Sequence, residues 1–440
     1  MITLAEVRLW GRTIGAVEWN NDTATGAFEY APEFLRSGIQ PSPLTMPLEA
    51  GAFRFPGLAR ETFMGLPGML ADALPDKFGN LLIDQWLAAQ GRSPGSFNPV
   101  ERLLYMGSRG MGALEFTPAL DKPQSRAESL EIAELVSLAN DALSRKQSLQ
   151  TGLQEGAVRG ADRGADSLRQ IIAVGTSAGG ARAKAVVAWN RSTGEVRSGQ
   201  CDAPAGFTHY LLKFDGVSGN GDKELADPLG FTRIEYACYL LAKKAGIEMM
   251  ASHLLEENGR AHFMTQRFDR TETGGKLHKQ TLCGIAHYDF NVAGAYSYEQ
   301  CFRVIRQLLK ENSKPALEEQ YRRMLLNLMI RNQDDHTKNI AFLMDRRGQW
   351  RLSPAYDVTY AYNPDGAWTH SHQMSVNGKR DNFTRHDLLQ AAVAADLRPR
   401  QAEILINEVS EALDCWLDCA AQAGVRSELA ERMQTTFRMF

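Results

Sequence analysis

The sequence of 440 residues predicts an α+β fold in which a lobe built on a mixed sheet precedes a helical lobe. Three observations support this prediction. Short alternating segments, separated by Gly and Asn turns, occur at 1–30 and at 183–268. One amphipathic helix, at 229–245, interrupts the second group of strands. From about residue 297 the apolar residues recur at helical spacing, apart from a short hairpin at 340–358.

The composition is that of an ordinary globular protein, with 44% apolar and 23% charged residues. This excludes a disordered, collagenous or disulfide-scaffold chain. The 49 Lys and Arg residues against 52 Asp and Glu give a net charge of −3, so the chain is not expected to coat nucleic acid by charge alone. No apolar run is long enough for a membrane span, and the first residues lack the apolar core of a signal peptide. We therefore expect a cytoplasmic protein without membrane contact.

Shifts in composition divide the chain into three predicted parts. Residues 1–121 form an N-terminal α/β subdomain, in which the first strands are followed by helix around the Pro75-Asp76 corner. Residues 122–269 begin with a polar, Gly-rich boundary and continue as the lobe that contains the mixed sheet. Residues 270–440 form the helical lobe.

The strongest chemical signal is the segment DDHTKN at 334–339, between a predicted helix and a predicted strand. At the separation of Asp334 and Asn339, a kinase catalytic loop places a carboxylate beside the acceptor hydroxyl and an amide oxygen on Mg²⁺. Asp357, at the end of the following hairpin, supplies a second carboxylate for the metal. We predict Asp334 as the catalytic base, Asn339 and Asp357 as metal ligands, and His336 as a structural residue of the loop. An acidic loop with a capping Asp is the alternative.

Lys213 lies in the predicted strand HYLLKFD, next to apolar neighbours that are unusual for a solvated lysine. In the first lobe of a kinase, a strand lysine reaches the α- and β-phosphates of ATP. Glu235, in the helix that follows, is the candidate for its ion-pair partner. An edge-strand lysine and an exposed helix glutamate are the alternatives.

Two further segments are weaker signals for a nucleotide site. The Gly-rich segment GTSAGGARAK at 175–184 leads into a strand, and small residues let backbone N–H groups approach phosphate oxygens. A flexible hairpin explains this segment equally well. The backbone from Gln266 to Phe268 is predicted to hydrogen-bond an adenine edge where the sheet passes to the helical lobe. An apolar hinge with a charged exit is the alternative.

Taken together in this order, the motifs resemble those of the HipA family, the Ser/Thr protein kinase toxins of bacterial type II toxin–antitoxin modules. The resemblance runs from the N-terminus to about residue 390. It implies a two-lobe, protein-kinase-like fold behind the N-terminal subdomain. The motifs that carry it are LPDKFGNLL at 74–82, GTSAGGARAK at 175–184, THYLLKFD at 208–215, EYACYLLAKKAG at 235–246, RFDR at 267–270, DDHTKN at 334–339 and LSPAYD at 352–357.

The resemblance implies a role for each matching position. Asp334 is the base, Asn339 and Asp357 hold Mg²⁺, and Lys213 contacts the phosphates of ATP. Ser177 is the residue whose autophosphorylation switches the kinase off, with Thr176 as the neighbouring alternative. The residues implied in nucleotide binding besides Lys213 are Ser177, Ala178, Gly179, Gly180, Gln266, Arg267 and Phe268.

The resemblance also implies partners. The target is an aminoacyl-tRNA synthetase, typically glutamyl-tRNA synthetase, whose phosphorylation stalls translation, arrests growth and leads to persistence. A small HipB-like helix-turn-helix antitoxin neutralises the toxin and carries it to operator DNA. The sequence departs from the best-known member at Gln333 and Asp335, which stand where that member has Thr and Gly. Asp335 is expected to add a charge beside the base and to alter peptide preference.

Two other functions are compatible with these residues. One is a kinase of a small molecule or lipid headgroup, because the DxHxxN loop also resembles that of phosphatidylinositol-type kinases. The other is a pseudokinase that binds antitoxin and DNA as a co-repressor.

Overall fold

In this computed structural model the described residues are 2–120, 131–151, 175, 182–200, 205–217 and 229–440. They form three sheets, each covered by helices. Every strand pair within these sheets is antiparallel. The expectation of a mixed sheet in the first lobe is therefore wrong for the described strands. The reason is that hairpins join β6 (Lys184–Trp189) to β7 (Val196–Ser198) and β9 (Ser252–Glu257) to β10 (Arg260–Gln266). The helix that follows β8 (Thr208–Lys213) leads to β9, which is not a neighbour of β8.

The N-terminal subdomain contains a five-stranded sheet of order β4-β3-β2-β1-β5. Side chains alternate along β1, where Ala5, Val7 and Leu9 are buried, as the period of a strand requires. The strands are β1 Leu4–Leu9, β2 Arg12–Asn20, β3 Thr25–Tyr30, β4 Ala52–Phe53 and β5 Leu114–Thr117. The helices are Pro32–Leu35, Arg60–Phe63, Gly68–Ala71, Lys77–Ala89 and Pro99–Met106.

The first lobe contains a second five-stranded sheet, of order β7-β6-β8-β10-β9. Apolar side chains of the helices Lys77–Ala89 and Ile132–Thr151 share one core with this sheet. The helix Phe231–Lys244 packs against β9 and β10 and joins the core of the second lobe. The strands are β6 Lys184–Trp189, β7 Val196–Ser198, β8 Thr208–Lys213, β9 Ser252–Glu257 and β10 Arg260–Gln266.

The second lobe is mainly helical, with a three-stranded sheet of order β11-β12-β13. These strands are β11 His278–Thr281, β12 Ala341–Met344 and β13 Trp350–Leu352. Buried side chains such as Phe302, Tyr321 and Trp416 fill its core. The helices are Leu282–Ala286, Tyr298–Leu309, Ser313–Met329, Arg385–Ala394, Pro399–Ala412, Trp416–Ala423 and Ser427–Gln434.

The N-terminal subdomain bonds to both lobes through a short stretch, residues 68–76, which we call the bridging segment. The Gly68 amide donates to His287 Nε2 at 3.1 Å. The Asp72 carboxylate accepts the Thr281 amide at 2.6 Å, also in the second lobe. The Asp76 carboxylate lies 3.8 Å from Lys184 Nζ in the first lobe. The two lobes are thus tied to one continuous piece of chain.

None of the helices in the described ranges combines the length and apolar character that a membrane crossing requires. The boundary predicted near residue 121 falls on residues outside the described ranges, so the division into 1–121, 122–269 and 270–440 stays a proposal.

Candidate active site

The predicted catalytic loop lies between the helix Ser313–Met329 and strand β12. Its two ends are joined, because Asn339 Nδ2 donates to the Asp334 carbonyl at 2.8 Å. This bond uses the amide nitrogen of Asn339 and leaves its oxygen as the group that suits a cation. Asn339 and Asp357 line the same small cavity. An amide oxygen and a carboxylate are the hard oxygen donors that Mg²⁺ takes, so these residues fit a magnesium site.

Asp357 follows strand β13 in a left-handed backbone conformation, with a φ of 53°. Such a backbone is sparsely populated for residues other than glycine and is often found at functional sites. Its carboxylate is hydrogen-bonded to Lys213 Nζ. Burial would raise the pKa of Asp357, but the ammonium groups of Lys213 and Lys184 outweigh it and hold that pKa at about 2.

Lys213, the last residue of β8, is buried between two carboxylates. Its Nζ lies 2.5 Å from Glu235 Oε1 on the helix Phe231–Lys244 and also bonds Asp357. The prediction that Glu235 is the ion-pair partner of Lys213 is confirmed. Burial opposes the charge, yet the two carboxylates keep the pKa of Lys213 above its ordinary value. The lysine therefore stays an ammonium ion, as phosphate binding requires.

Lys184 is a second buried lysine at the site that sequence reasoning did not single out. It lies opposite Lys213 in the β6–β8 pairing and is 3% exposed. Burial lowers the pKa of Lys184, although the nearby carboxylates oppose this, and burial raises the pKa of its partner Asp76 to about 7. A lysine at the head of the otherwise apolar strand KAVVAW was the signal that could have found it.

Asp334, the predicted base, is contacted by a residue far along the chain. Trp368 Nε1 donates to Asp334 Oδ1 at 2.7 Å, while His336 Nε2 lies 3.8 Å from the same oxygen. The His336 ring also packs against Phe290, with ring centres 5.2 Å apart. Nothing in the local sequence pattern pointed to Trp368, because this contact joins residues 34 positions apart.

The hinge residues lie together at the end of β10, but two of their amides are already engaged. Gln266 N–H donates to Ala251 and Arg267 N–H donates to His209, each at 2.9 Å. The Arg267 side chain is fully buried in a bidentate ion pair with Asp269, at 2.9 and 2.7 Å. The structure therefore gives the Arg267 side chain a structural role. The Phe268 ring lies against Tyr356, with centres 5.4 Å apart.

Asp335 does not face the substrate side of the loop, contrary to expectation. It is 3% exposed, and its carboxylate accepts hydrogen bonds from Tyr298, His372 and the Gln373 amide. Its role is to anchor the loop rather than to select a peptide. The predicted phosphate-binding and autophosphorylation residues Ser177, Ala178, Gly179 and Gly180 lie outside the described residues, as does Thr176.

Two family models match most of this chain. Residues 5–117 match the family described as HipA N-terminal domain, and residues 176–416 match the HipA-like C-terminal domain. A candidate kinase of Haemophilus influenzae is 27% identical over 135 residues, which cover 28% of this chain and 39% of that protein. The chain thus spans about two fifths of the length of that curated relative.

One solved structure shows the same fold at low identity. HipA of Shewanella oneidensis, in a complex with HipB and its operator DNA, superposes with a TM-score of 0.67 at 17% identity, covering 98% of this chain and 95% of that chain. The proinflammatory kinase CtkA of Helicobacter pylori gives a TM-score of 0.33 at 11% identity, covering 52% of this chain and 88% of that chain. The superposition on the HipA structure confirms the α+β, two-lobe, kinase-like fold that the sequence predicted. The family model of the HipA-like C-terminal domain alone matches more than half of the residues of this chain, so the chain belongs to the HipA family.

Proposed function

We propose that this protein is an ATP- and Mg²⁺-dependent Ser/Thr protein kinase that acts as a toxin. The observation that carries the proposal is the position of Lys213, which bonds Glu235 of one lobe and Asp357 of the other. A lysine held in this way next to a loop with Asp334 and Asn339 supplies the parts that phosphoryl transfer needs. The reaction moves the γ-phosphate of ATP to a hydroxyl of a protein.

Each residue has a separate task in this reaction. Lys213 binds the α- and β-phosphates of ATP, and Glu235 keeps it oriented. Asp334 accepts the proton of the attacking hydroxyl. Asn339 and Asp357 would hold Mg²⁺, which when bound neutralises charge on the phosphate oxygens.

The adenine is proposed to bind at the end of β10. Because the Gln266 and Arg267 amides donate within the sheet, we assign the donor for the base to the Phe268 amide. The Phe268 ring, beside Tyr356, provides an apolar surface for the purine.

Regulation by Ser177 belongs to the same proposal. A phosphate adds about −1.5 to −2 charges, which repel the phosphates of ATP if both occupy the Gly-rich loop. Autophosphorylation of Ser177, or of the adjacent Thr176, would therefore switch the kinase off.

The partners are proposed from the family. The antitoxin is a HipB-like helix-turn-helix protein, and operator DNA is reached mainly through it. The net charge of −3 supports this, because a nearly neutral chain binds DNA weakly by itself. The substrate is proposed to be an aminoacyl-tRNA synthetase, with glutamyl-tRNA synthetase as the first candidate, and its phosphorylation would arrest translation and growth.

The test is phosphoryl transfer by the purified full chain with radiolabelled ATP. Asp334→Asn and Asp357→Asn should each abolish labelling of serine and growth arrest, whereas the exposed Asp365→Asn should leave both unchanged. Phosphoproteomics of cells that express the chain, against Asp334→Asn, identifies the substrate. Labelling that survives in either site variant would contradict the assignment. Turnover of small alcohols instead of proteins would indicate a small-molecule or lipid kinase, and failure to bind ATP with Mg²⁺ would indicate a pseudokinase.

A further inference from the structure

The last six residues, 435–440, follow the helix Ser427–Gln434 and return to the end of the helix Ser313–Met329, which precedes the catalytic loop. We call them the C-terminal tail, and they lie beyond the part that matches the family. The tail is attached on both sides of the end of the helix Ser313–Met329. The Arg438 amide donates to the Met329 carbonyl and Arg331 Nε donates to the Thr436 carbonyl, each at 2.9 Å.

The Arg438 side chain enters the second lobe and is 11% exposed. Its Nη1 lies 3.2 Å from the Leu328 carbonyl and 2.9 Å from His372 Nε2. Its Nη2 bonds Asp381. Arg438 therefore donates to a carbonyl in the last helical turn before the catalytic loop. Its positive charge there also interacts favourably with the negative end of the helix dipole.

The contact between Arg438 and His372 determines where the proton of the imidazole is. A guanidinium group can only donate, so His372 Nε2 must accept and its proton must be on Nδ1. His372 Nδ1 lies 2.9 Å from Asp335 Oδ2, to which it can then donate. The ring is completely buried, so water cannot replace either partner.

The hydrogen bonds from Arg438 through His372, which we call the relay, end at Asp335. Asp335 is next in sequence to Asp334, the proposed base. Besides His372, its carboxylate accepts the Tyr298 hydroxyl and the Gln373 amide, each at 2.8 Å. A buried carboxylate with three fixed donors has one favourable orientation. Asp335 is joined to Asp334 by one peptide bond, so a fixed Asp335 restrains the backbone from which the Asp334 side chain extends toward Trp368.

We propose that Arg438 is a positioning residue for phosphoryl transfer, which acts on Asp334 through His372 and Asp335. This inference rests on the proposed kinase function. Its consequence is that the tail, although remote in sequence, sets the rate of the chemical step rather than the affinity for ATP.

The first experiment compares Arg438→Ala with Arg385→Ala in the full chain. Arg385 bonds the Phe440 carbonyl of the same tail but does not contact His372. We expect the rate constant of phosphoryl transfer to fall about tenfold or more in Arg438→Ala, with ATP affinity within about twofold of wild type. Arg385→Ala should keep the wild-type rate. Equal rates in wild type and Arg438→Ala, equal losses in both variants, or a parallel loss of ATP affinity would overturn the inference.

A second measurement keeps the test valid if Arg438→Ala does not fold. In Arg438→Lys one ammonium group replaces the planar guanidinium group. It cannot reach the Leu328 carbonyl, the His372 imidazole and Asp381 together. Nitrogen NMR of the histidine rings should show a proton on Nδ1 of His372 in wild type and a mixture of tautomers in Arg438→Lys. A proton on Nε2 in wild type would overturn the relay. If wild type shows this tautomer but no phosphoryl transfer, the kinase assignment fails while the relay stands.

Discussion

Lys213 bonds one carboxylate from each lobe, and this shapes the whole site. Glu235 comes from a helix that packs behind the sheet, and Asp357 comes from the hairpin of the second lobe. Lys213 and Asp357 could be predicted from the sequence because their local patterns are unusual, a lysine among apolar strand residues and a carboxylate after a hairpin. Trp368 could not be assigned in this way, since its partner is set by the folded chain. Lys184 has the same kind of local signal as Lys213 but was not singled out.

The first prediction concerns Glu235. Glu235→Gln removes the charge but keeps the shape, so Lys213 retains only Asp357 as an anionic partner and competes for the carboxylate that would hold the metal. We expect the rate of phosphoryl transfer to fall at least about tenfold. Removal of one partner of a buried ion pair usually costs about 3–5 kcal/mol, and we expect the unfolding free energy to fall by less than that. Single-turnover rates and chemical denaturation measure the two effects. Glu256→Gln, at an exposed glutamate that pairs with Arg233, is the matched control, and a similar loss there would contradict the prediction.

At the scale of elements, the hairpins at β6–β7, β9–β10 and β12–β13 were all predicted, because alternation and turn residues are local signals. Strand β11, with the sequence HKQT, was missed because three of its four residues are buried despite their polarity. Its His278 and Gln280 side chains bond the Pro41 carbonyl, a contact that only the folded chain creates. The antiparallel pairing in the first lobe was also missed, because β8 lies between β6 and β10, which are not adjacent to it in the sequence.

The second prediction concerns the helix Lys77–Ala89, whose N-cap is Asp76. Asp76 Oδ1 accepts the Gly79 amide at 2.6 Å, and its second oxygen is the one near Lys184. Asp76→Ala should therefore destabilise the protein by more than the loss of an ordinary cap, which is about 1 kcal/mol. Ser297→Ala at the cap of the helix Tyr298–Leu309 measures that ordinary loss.

Asp76→Asn separates the two contributions, because asparagine caps a helix well but carries no charge. It should fall between wild type and Asp76→Ala in denaturant unfolding. If Asp76→Ala and Ser297→Ala lose the same free energy, the contact with Lys184 contributes nothing to stability.

For the whole molecule, three histidines, of which His262 and His278 are buried and His287 is half-buried, make the fold sensitive to acid. Burial lowers the pKa of His262, His278 and His287 from 6.5 to about 4. His262 and His287 each accept a backbone amide hydrogen, from Asp215 and Gly68, so protonation would break those bonds. His278 and His287 lie where the second lobe meets the N-terminal subdomain.

The third prediction gives the sign of this effect. Between pH 6.5 and 4 these three histidines bind more protons in the unfolded chain than in the folded one, so their contribution to stability falls as the pH falls. The raised pKa of Asp76 acts with the opposite sign in this range and offsets at most one of the three. Each histidine contributes up to about 1.4 kcal/mol per pH unit to the slope. Denaturant unfolding at pH 7, 6 and 5 measures it. His287→Gln, which can still accept the Gly68 amide, should reduce the slope, and an unchanged slope would show that His287 does not contribute.

The bridging segment has a mechanical consequence for catalysis. Nine residues of the N-terminal subdomain bond Thr281 and His287 at one end and lie against Lys184 at the other, so they act as a strut between the lobes. Rotation of one lobe against the other must stretch this strut or break one of its ends. The cleft that would admit ATP can therefore widen only as far as the N-terminal subdomain follows. A displacement of that subdomain is transmitted to Lys184 by the Asp76 carboxylate and by the core that the helix Lys77–Ala89 shares with the first-lobe sheet.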